Sequence, residues 1–373
     1  MTNAAVTSAT TDWLAQATET IRAANAQARS LEITGSGSKA FYGHAVLADQ
    51  QLSTLGYAGI VDYDPTELVV VVRSGTRIAD LEKTLAGAHQ MLAFEPPRFG
   101  GNGTVGGMMA TGLSGPRRMT AGAAKDFVLG MTVLDSLATP MRYGGTVMKN
   151  VAGYDLSRLH TGALGTLGLI VDVSLKVLPT PPAEETICFS VTAEESIQWA
   201  NAWLGQPLPI SATSWANGQL AVRLSGAVAA VTSACEKLGG QKMSVDQAQT
   251  FWASLRDQHD DFFQVSLTSP KALWRVALPS VTPHLAALGE RQWIEWAGAC
   301  RWVRTDLPAA EVRRIAQAHG GHATLFRRSV NDVSLTEDVF TALSTSIHKV
   351  HQRIKQELDP NRIFNPGRLY ADL

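Results

Sequence analysis

The residues best suited to do chemistry in this sequence lie in three glycine-rich stretches of its first half. They are Gly35-Ser-Gly-Ser-Lys39, Gly103-Thr-Val-Gly-Gly107 and Gly162-Ala-Leu-Gly-Thr-Leu-Gly168. Because glycine has no Cβ, the main chain can approach a ligand closely and turn several N–H groups toward it. Clustered N–H donors bind anions, so the stretches predict a site for a phosphate-containing cofactor such as one with a diphosphate.

The first stretch alone does not identify the cofactor. Gly35-Ser-Gly37-Ser-Lys-Ala40 fits the G-x-G-x-x-A pattern of dinucleotide-binding proteins, with Asp62 and Asp64 near the expected place of the ribose-binding acid. That pattern requires a helix from its second glycine, and Phe41-Tyr-Gly43 shows no helical apolar period. The spacing of a P-loop is also absent. Taken alone, the stretch is equally compatible with a surface turn, and a nicotinamide-dependent dehydrogenase is the least favoured reading.

Other reactive side chains do not form a recognisable catalytic pattern. The three cysteines are far apart, which predicts free thiols rather than disulfides or iron–sulfur ligands. His319 and His322 lack nearby carboxylates, so we predict a structural role and no metal site. His348 and His351 are expected to be solvated on the last helix. An alcohol oxidation needs a proton acceptor, and none can be picked out, so the catalytic residues stay unassigned.

Composition favours a globular protein that binds a small molecule or another protein. The 373 residues are 45% hydrophobic and 17% charged, and 32 basic residues balance 33 acidic ones. This balance provides no general attraction for nucleic acid or an anionic bilayer. Residues 1–10 lack the pattern of a signal peptide, and no apolar run approaches the roughly 18 residues of a membrane span. We expect a cytoplasmic protein, with at most peripheral association with the inner membrane through partners.

Hydrophobic periodicity predicts the elements that position the glycine stretches. A helix over 12–28 precedes a strand at 31–33, which leads into the first stretch, and a strand over 169–178 follows the third. The apolar run 67–72 predicts a strand buried on both faces. The remaining elements of this part are a helix marked by Ile78, Leu81 and Leu85, and strands at 131–134 and 141–143.

Beyond Pro179, Pro181 and Pro182 the pattern changes to a repeated βαββαβ order. The first unit has a strand at 186–191, a helix at 194–204, a hairpin around Asn217-Gly218, a helix at 228–238 and a short strand near Met243. A linking helix around Phe251-Trp252 follows. The second unit has a strand at 272–278, a helix from Val281, strands at 293–296 and 300–304, a helix at 309–319 and a strand at 323–327. Tandem split βαβ units predict an open sheet with helices on one face.

The final segment predicts one long helix and a tail that packs back on the first part of the chain. Apolar residues recur at steps of three or four from Val339 to Leu358, and Pro360 ends the pattern. We therefore divide the chain into residues 1–180, a cap-like part at 184–330, and a helix with its tail at 335–373.

The order and spacing of the glycine stretches resemble a known family. The first stretch, Pro96-Pro97 to Gly107, and Lys149-Asn-Val-Ala-Gly-Tyr-Asp155 to Gly168 are similar to the FAD-binding domain of the vanillyl-alcohol-oxidase or PCMH-type flavoproteins. Ile363-Phe-Asn-Pro-Gly367 resembles the end of its 2-hydroxy-acid dehydrogenase branch. Gly112-Leu-Ser-Gly-Pro-Arg-Arg118 and Gly321-His-Ala-Thr-Leu-Phe-Arg327 are most similar to the E-subunit family of bacterial glycolate oxidases. The resemblance spans about residues 30–370.

The resemblance implies an α+β fold, with a two-subdomain PCMH-type FAD-binding domain and a duplicated ferredoxin-like, split βαβ cap domain. It places the FAD diphosphate against Gly35–Lys39, approached by Thr104–Gly107, and the flavin or adenine edge against Gly162–Gly168. Lys149 and Arg158 are candidates for a cation near the flavin N1–C2=O edge. The residues expected to bind FAD are Gly35, Ser36, Gly37, Ser38, Lys39, Pro97, Gly103, Thr104, Val105, Gly106, Gly107, Gly112, Lys149, Tyr154, Gly162, Gly165, Thr166, Gly168, Ile170 and Asn365.

In many flavoproteins of this superfamily a histidine in the first loop bonds covalently to the flavin. Ser36, Gly37 and Ser38 stand at the corresponding positions here, so we expect FAD to be held without a covalent bond.

The resemblance also implies a function and leaves alternatives open. It predicts the FAD-binding subunit of a multi-subunit glycolate oxidase that oxidises glycolate to glyoxylate with a sister FAD subunit and an iron–sulfur subunit. The metal-binding and Glu-His-Gly segments of catalytic relatives are absent, which leaves an assembly or electron-relay subunit possible. A stand-alone D-2-hydroxy-acid dehydrogenase of D-lactate type is a further alternative. Candidates for binding the substrate carboxylate are Arg98, Arg117, Arg118 and Arg327.

Overall fold

The computed structural model describes residues 3–147, 155–266, 271–329 and 338–373. Within these residues no helix is long and apolar enough to cross a membrane. The elements before the cap are α1 (Asn3–Ala26), β1 (Leu31–Thr34), β2 (Gln50–Ser53), β3 (Ile60–Asp64), β4 (Val69–Arg73), α2 (Ile78–Gly87), β5 (Gln90–Met91), α3 (Val105–Thr111), α4 (Arg118–Ala121), β6 (Val128–Leu134), β7 (Pro140–Gly144), α5 (Leu156–His160), β8 (Leu169–Lys176) and β9 (Leu178–Pro179).

The strands of this part form one five-stranded sheet and two strand pairs, of which β5 and β9 make one. Five antiparallel strands pair in the order β3-β4-β8-β6-β7, while β1 and β2 form a separate parallel pair. The run predicted as a buried strand is β4, in which Val70 and Val72 are inaccessible to solvent. Ile78, Leu81 and Leu85 of α2 pack in the same core, because spacings of three and four place them on one helix face.

The cap is one eight-stranded sheet with the order β13-β10-β12-β11-β15-β16-β14-β17. Each half has the strand order of a split βαβ unit, and β11 pairs with β15 to join the halves. The sequence therefore predicted this duplication correctly. The elements are β10 (Ala183–Ser190), α6 (Ala193–Leu204), β11 (Ile210–Ala216), β12 (Gln219–Gly226), α7 (Val228–Leu238), β13 (Gln241–Lys242), α8 (Val245–Asp257), β14 (Ala272–Ala277), β15 (Gln292–Glu295), β16 (Cys300–Thr305), α9 (Ala309–Ala318) and β17 (His322–Arg327).

The helix predicted from Val281 is wrong. The only helical residues between β14 and β15 are a short 3-10 turn at Ala286–Leu288. Pro283 disfavours helical geometry at Thr282, and the buried Arg301 guanidinium binds the carbonyl oxygens of Thr282 at 2.5 Å and Pro283 at 3.2 Å. Those carbonyls therefore find their partners in a side chain instead of in helical hydrogen bonds.

The last helix, α10 (Thr345–Leu358), is shorter than predicted. Ser344 caps it, while Val339 is buried and its carbonyl accepts from the N–H of Leu325 in β17 at 2.8 Å. Ile347 and Val350 are each about half exposed, at 49% and 50%. The apolar residues of α10 therefore do not form a fully buried face.

The tail after α10 returns to the N-terminal part and pairs with β1. The N–H of Leu31 donates to Ile363 at 2.6 Å, and the N–H of Asn365 donates to Leu31 at 2.9 Å. Residues 31 and 365 are thus hydrogen-bonded neighbours although most of the chain separates them. The division of the chain at residues 180, 184, 330 and 335 stays a prediction.

Candidate functional site

A cleft of about 750 Å³ opens where β1, α3, the third glycine stretch and the C-terminal tail meet. It brings together twelve of the residues predicted from sequence. They are Gly35, Ser36, Gly37, Ser38, Lys39, Thr104, Gly106, Gly107, Gly165, Gly168, Ile170 and Asn365.

The first glycine stretch is the loop that leaves β1 and forms one wall of this cleft. The described residues provide no acceptor for the main-chain N–H groups of Ser36, Gly37 and Ser38. Gly37 has a φ of +74°, a conformation that glycine adopts without strain. Gly35 is required for another reason, since a Cβ on it would lie 2.3 Å from Oγ1 of Thr104. The two loops are therefore in direct contact at this point.

The second glycine stretch begins α3, and its main chain is anchored to the end of β4. Thr104 caps the helix, accepting from the N–H of Gly107 at 3.3 Å. The N–H of Gly106 donates to Ser74 at 2.7 Å, and a Cβ on Gly106 would lie 2.8 Å from that of Ser74. The structure places Val105 in the core, away from the cleft. Gly103 lies just behind the cleft, where its Cβ would be 3.0 Å from Nζ of Lys39.

The third glycine stretch divides between two cavities. Gly165, Gly168 and Ile170 face the cleft, whereas Gly162 and Thr166 line a separate cavity of about 560 Å³ beside α10. The stretch is fixed to α3 because the N–H of Gly162 donates to Met109 at 2.9 Å and that of Leu164 to Ala110 at 2.8 Å.

Several other predicted residues do not reach the cleft. Gly112 ends α3 in a left-handed conformation, packed on Gly162, and Pro97 lines a cavity nearer the cap. Lys149 and Tyr154 lie outside the described residues. Arg158 is half exposed and pairs with Asp155 at 2.9 Å, so its charge is already compensated.

Lys39 is a buried cation of the cleft, which Glu32 and Arg368 also line. Its side chain is only 7% exposed, and its ammonium has no hydrogen-bond partner among the described residues. Burial lowers the pKa of Lys39 to about 8, although the carboxylate of Asp257 opposes that change. A buried, unpartnered ammonium is costly, and an anion beside it would remove that cost.

The C-terminal tail holds the first and third stretches together. Oδ1 of Asn365 accepts from the N–H of Ile33 at 2.7 Å, and its Nδ2 donates to the carbonyl of Leu164 at 2.7 Å. Arg368 donates to the carbonyl oxygens of Ala40 and Tyr42 at 3.3 and 3.2 Å. Asn365 thus acts as a positioning residue as well as lining the cleft.

The sequence analysis missed the lining residues that have no glycine signature. Glu32, Ile33 and Thr34 could have been found as the end of β1, and Arg368 by its place one residue after the Asn-Pro-Gly turn. Leu164 lies within the third glycine stretch but was not singled out. Thr54, Ala110 and Thr111 had no signal, because only the fold brings them to the cleft.

The site fits a dinucleotide diphosphate. Ser36–Ser38, whose N–H groups have no acceptor among the described residues, and the buried ammonium of Lys39 line one cleft, and such donors are what the oxygens of a diphosphate need in place of water. The glycine and aliphatic lining leaves room for flat rings.

The remaining sequence candidates have other partners. Arg98 pairs with Glu82, and Arg117 pairs with Glu184 at 2.6 Å. His348 contacts Asp372 at 2.7 Å. Among the described residues no group of His, Cys, Asp and Glu could hold a metal ion. The cysteines are free, and burial raises the pKa of each thiol; they are Cys188, Cys235 and Cys300.

Fold and cleft together define a flavoprotein with a PCMH-type FAD-binding domain, as predicted. Residues 8–143 match the model of an FAD binding domain family. The chain is 44% identical over 343 residues to glycolate oxidase subunit GlcE of Escherichia coli, covering 92% of this chain and 93% of that protein. The chain therefore belongs to the glycolate oxidase subunit GlcE family of FAD-binding oxidoreductases.

Two further proteins place this family in its wider context. Glycolate oxidase subunit GlcD of Bacillus subtilis is 31% identical over 128 residues, which cover 34% of this chain and 27% of that protein. The structure of p-cresol methylhydroxylase with substrate bound superposes with a TM-score of 0.69 at 16% identity, covering 96% of this chain and 87% of the other. At that identity the likeness concerns the fold alone.

Proposed function

We propose that this chain is the FAD-binding subunit of a multi-subunit glycolate oxidase. In this proposal the complex oxidises glycolate to glyoxylate and passes the electrons from this subunit's flavin to an iron–sulfur partner, alongside a sister FAD subunit. The observation that supports it most directly is the cleft lined by Lys39 and by Ser36–Ser38, whose N–H groups have no acceptor in the part of the chain that the structure describes. The similarity to glycolate oxidase subunits E and D supports the choice of complex.

FAD, when bound, supplies the two-electron acceptor for the oxidation of an alcohol. The chain's own residues orient it. Ser36–Ser38 donate main-chain hydrogen bonds to the diphosphate, and Lys39 adds a positive charge at the same point. Gly165, Gly168 and Ile170 provide the apolar wall for a ring. We propose that binding is non-covalent, because Ser36, Gly37 and Ser38 offer no imidazole for a bond to the flavin.

A second candidate is a subunit that binds FAD for assembly or electron relay while its sister carries out the substrate chemistry. The observation that favours it is that the histidines of the cap, His319 and His322, do not form a metal site with the described acidic residues. His319 instead contacts the carbonyl of Ile315 at 2.9 Å.

Anaerobic mixing of the complex with glycolate tests the first proposal. Purified complex is expected to show a flavin spectrum, to release FAD on acid denaturation and to bleach on addition of glycolate. The isolated subunit, loaded with FAD, is then mixed with glycolate in a stopped-flow instrument. Bleaching of its flavin supports a catalytic role, whereas bleaching in the complex alone supports the relay role.

Two results would contradict the proposal altogether. One is a subunit that binds no FAD under reconstituting conditions. The other is turnover of D-lactate but not of glycolate by this chain on its own, which would favour the stand-alone D-2-hydroxy-acid dehydrogenase.

A further inference from the structure

A separate cavity of about 350 Å³, here called the cap pocket, lies where the cap meets the N-terminal part. Its walls include Phe99, Ser114, Arg275, Glu295, Trp296 and Trp302. Phe99 also lies under Lys39, whose Nζ is 5.7 Å from the centre of its ring. One aromatic side chain therefore stands between the cap pocket and the Lys39 ammonium of the FAD cleft.

Glu295 lines this pocket with a buried carboxyl group that forms no salt bridge among the described residues. It is 5% exposed, and its Oε1 accepts from Nε1 of Trp302 at 2.5 Å. No lysine, arginine or histidine of the described residues forms a salt bridge with it. The pKa of Glu295 is raised to about 7, mainly by burial. The hydrogen bond from Trp302 lowers this pKa, and the nearby Glu95 carboxylate raises it further. Such a group can accept or release a proton at neutral pH.

Arg275 and Arg118 bring positive charge without a carboxylate. Arg275 donates to the hydroxyl of Tyr42 at 3.3 Å, and the guanidinium of Arg118 lies 4.5 Å from the ring centre of Trp296. Neither forms a salt bridge with a described carboxylate. Burial lowers the pKa of Arg118, and the neighbouring Arg275 lowers it further. Arg275 lines the pocket and Arg118 lies next to Arg275, while the carboxylate of Asp126 acts on Arg118 without forming a salt bridge with it. This pair of cations can therefore attract an anion into the pocket.

The hairpin that carries Glu295 is strained at its turn. Trp296 and Ala297 both have a φ of +52°, in the left-handed region that bulky residues avoid. Nε1 of Trp296 donates to the carbonyl of Gly115 at 3.1 Å, so the turn bridges the cap and the N-terminal part. Strain of this kind persists where the surrounding structure holds it and is frequent at functional sites.

We propose that the cap pocket binds a small 2-hydroxy acid, with Arg275 and Arg118 receiving its carboxylate and Glu295 accepting its hydroxyl proton. This rests on the proposed function, since it locates the substrate of that oxidation. When the alcohol becomes a carbonyl, the Glu295 carboxylate would take the hydroxyl proton, and FAD held in the neighbouring cleft would supply the acceptor for the hydride that leaves the carbon. The C–O single bond becomes a double bond, so electrons and protons balance.

Oxalate is the probe for binding, because it resembles the substrate and cannot be oxidised by this route. It is titrated by calorimetry into the FAD-loaded chain and into the variants Arg275→Gln, Arg275→Lys and Glu295→Gln. Arg275→Gln is expected to weaken oxalate binding by about tenfold to a hundredfold, with partial recovery in Arg275→Lys. Arg314→Gln is the control, because Arg314 pairs with Glu311 on the exposed face of α9.

The pH dependence of oxalate binding tests Glu295 specifically. As pH rises through about 7, the carboxylate ionises and repels the anion, so affinity falls in the wild type by about tenfold and stays level in Glu295→Gln. Four charged or titratable groups lie around Glu295: Glu95, Cys300, Arg256 and Arg275. Arg118 also acts on the Cys300 thiol. Glu295→Gln is also expected to slow reduction of the flavin by glycolate by about a hundredfold or more.

The outcomes separate this inference from the proposed function. If the FAD-loaded chain binds no oxalate, or if Arg275→Gln and Glu295→Gln bind it as the wild type does across pH, the pocket assignment is overturned. Oxidation of glycolate by the complex would then still support the proposed function. Failure of the complex to oxidise glycolate would overturn the proposed function even if oxalate binds. Equal FAD content in all variants confirms that each is folded.

Discussion

Lys39 was predicted from sequence as a cofactor-binding residue, but the burial of its ammonium depends on the fold. Its place after Gly35-Ser-Gly-Ser indicated a phosphate-binding loop. The sequence could not show that the ammonium would be buried, because that depends on Gly103 and Phe99, more than fifty residues away. The position of Arg368 after the Asn-Pro-Gly turn was visible in the sequence, but its contacts with Ala40 and Tyr42 were not, because they are long-range.

Replacing Lys39 by methionine is expected to weaken FAD binding by about tenfold to a hundredfold. A hydrogen bond to a charged group is worth about 1.5–3 kcal/mol, and methionine keeps the length of the side chain without its charge. The dissociation constant can be measured from the change in flavin absorbance on titration of the apoprotein. Lys237→Met is the matched control, because Lys237 lies on the exposed face of α7.

FAD affinity is expected to depend on pH through the ionisation of Lys39. The pKa of Lys39 is lowered to about 8 by burial, so its ammonium is lost as pH rises above that value. Since the diphosphate favours the charged form, FAD affinity of the wild type is expected to fall between pH 8 and 10. An identical fall in Lys39→Met would show that another group is responsible.

Glu295 is expected to make stability depend on pH in the opposite sense to most carboxylates. Its pKa is raised to about 7 from an ordinary 4.5, so the native state is progressively destabilised as pH rises through this interval. Urea unfolding at pH 5 and pH 8 should show the advantage of Glu295→Gln over the wild type growing by about 2–3 kcal/mol. A difference that does not change with pH would mean that Glu295 is ionised throughout.

At the scale of elements, the site depends on how β1, the third glycine stretch and the tail are joined. Asn365 joins all three through its main chain and both polar atoms of its side chain, and it is 2% exposed. It was predicted as a residue that binds the cofactor. Its contacts show that it also fixes the distance between two walls of the cleft.

Asn365→Ala is expected to destabilise the protein by about 2–4 kcal/mol and to weaken FAD binding in parallel. The substitution leaves the partly buried N–H of Ile33 and the buried carbonyl of Leu164 without these partners, at up to about 1–3 kcal/mol each. Urea unfolding of the apoprotein gives the first quantity and flavin titration the second. Asn361→Ala is the control, since Asn361 makes only exposed hydrogen bonds with Asn25. Loss of stability without loss of FAD affinity would show that Asn365 does not help to shape the FAD cleft.

Local sequence signals predicted most elements correctly and failed where distant groups competed with them. The Asn217-Gly218 turn has positive φ at both residues and joins β11 to β12, as its dipeptide indicated. The expected helix at Val281 is replaced by carbonyl contacts to Arg301, which lies twenty residues further on. The start of α10 was misplaced because Val339 is apolar for its contact with β17 and not for a helix face.

At the scale of the molecule, a buried network of charges ties the cap to the FAD-binding part. The Glu95 carboxylate pairs with Arg223 of β12 at 2.9 Å and lies 3.5 Å from Arg117, while Glu184 of β10 also pairs with Arg117. Burial favours a raised pKa for Glu95, but Arg223 and Arg117 outweigh it and hold the pKa below its ordinary value. The network therefore fixes the orientation of the surfaces that form the cap pocket.

Glu95→Gln is expected to destabilise the protein by about 2–4 kcal/mol at pH 7, because it leaves two largely buried guanidiniums without part of their counter-charge. The depressed pKa of Glu95 contributes stability above about pH 4.5, which is lost as pH falls through the native-state value. The difference between variant and wild type should accordingly shrink in acid. Glu185→Gln is the control, because the exposed pair of Glu185 with Lys242 at 4.0 Å contributes little.

The pairing of Leu31 with Ile363 and Asn365 has a consequence for how the protein is made. The residues of β1 and the first glycine stretch are synthesised early, yet the hydrogen bonds that hold β1 come from residues that are added more than three hundred positions later. A nascent chain stalled before residue 363 should therefore fail to capture the coenzyme, although its cap strands are already complete.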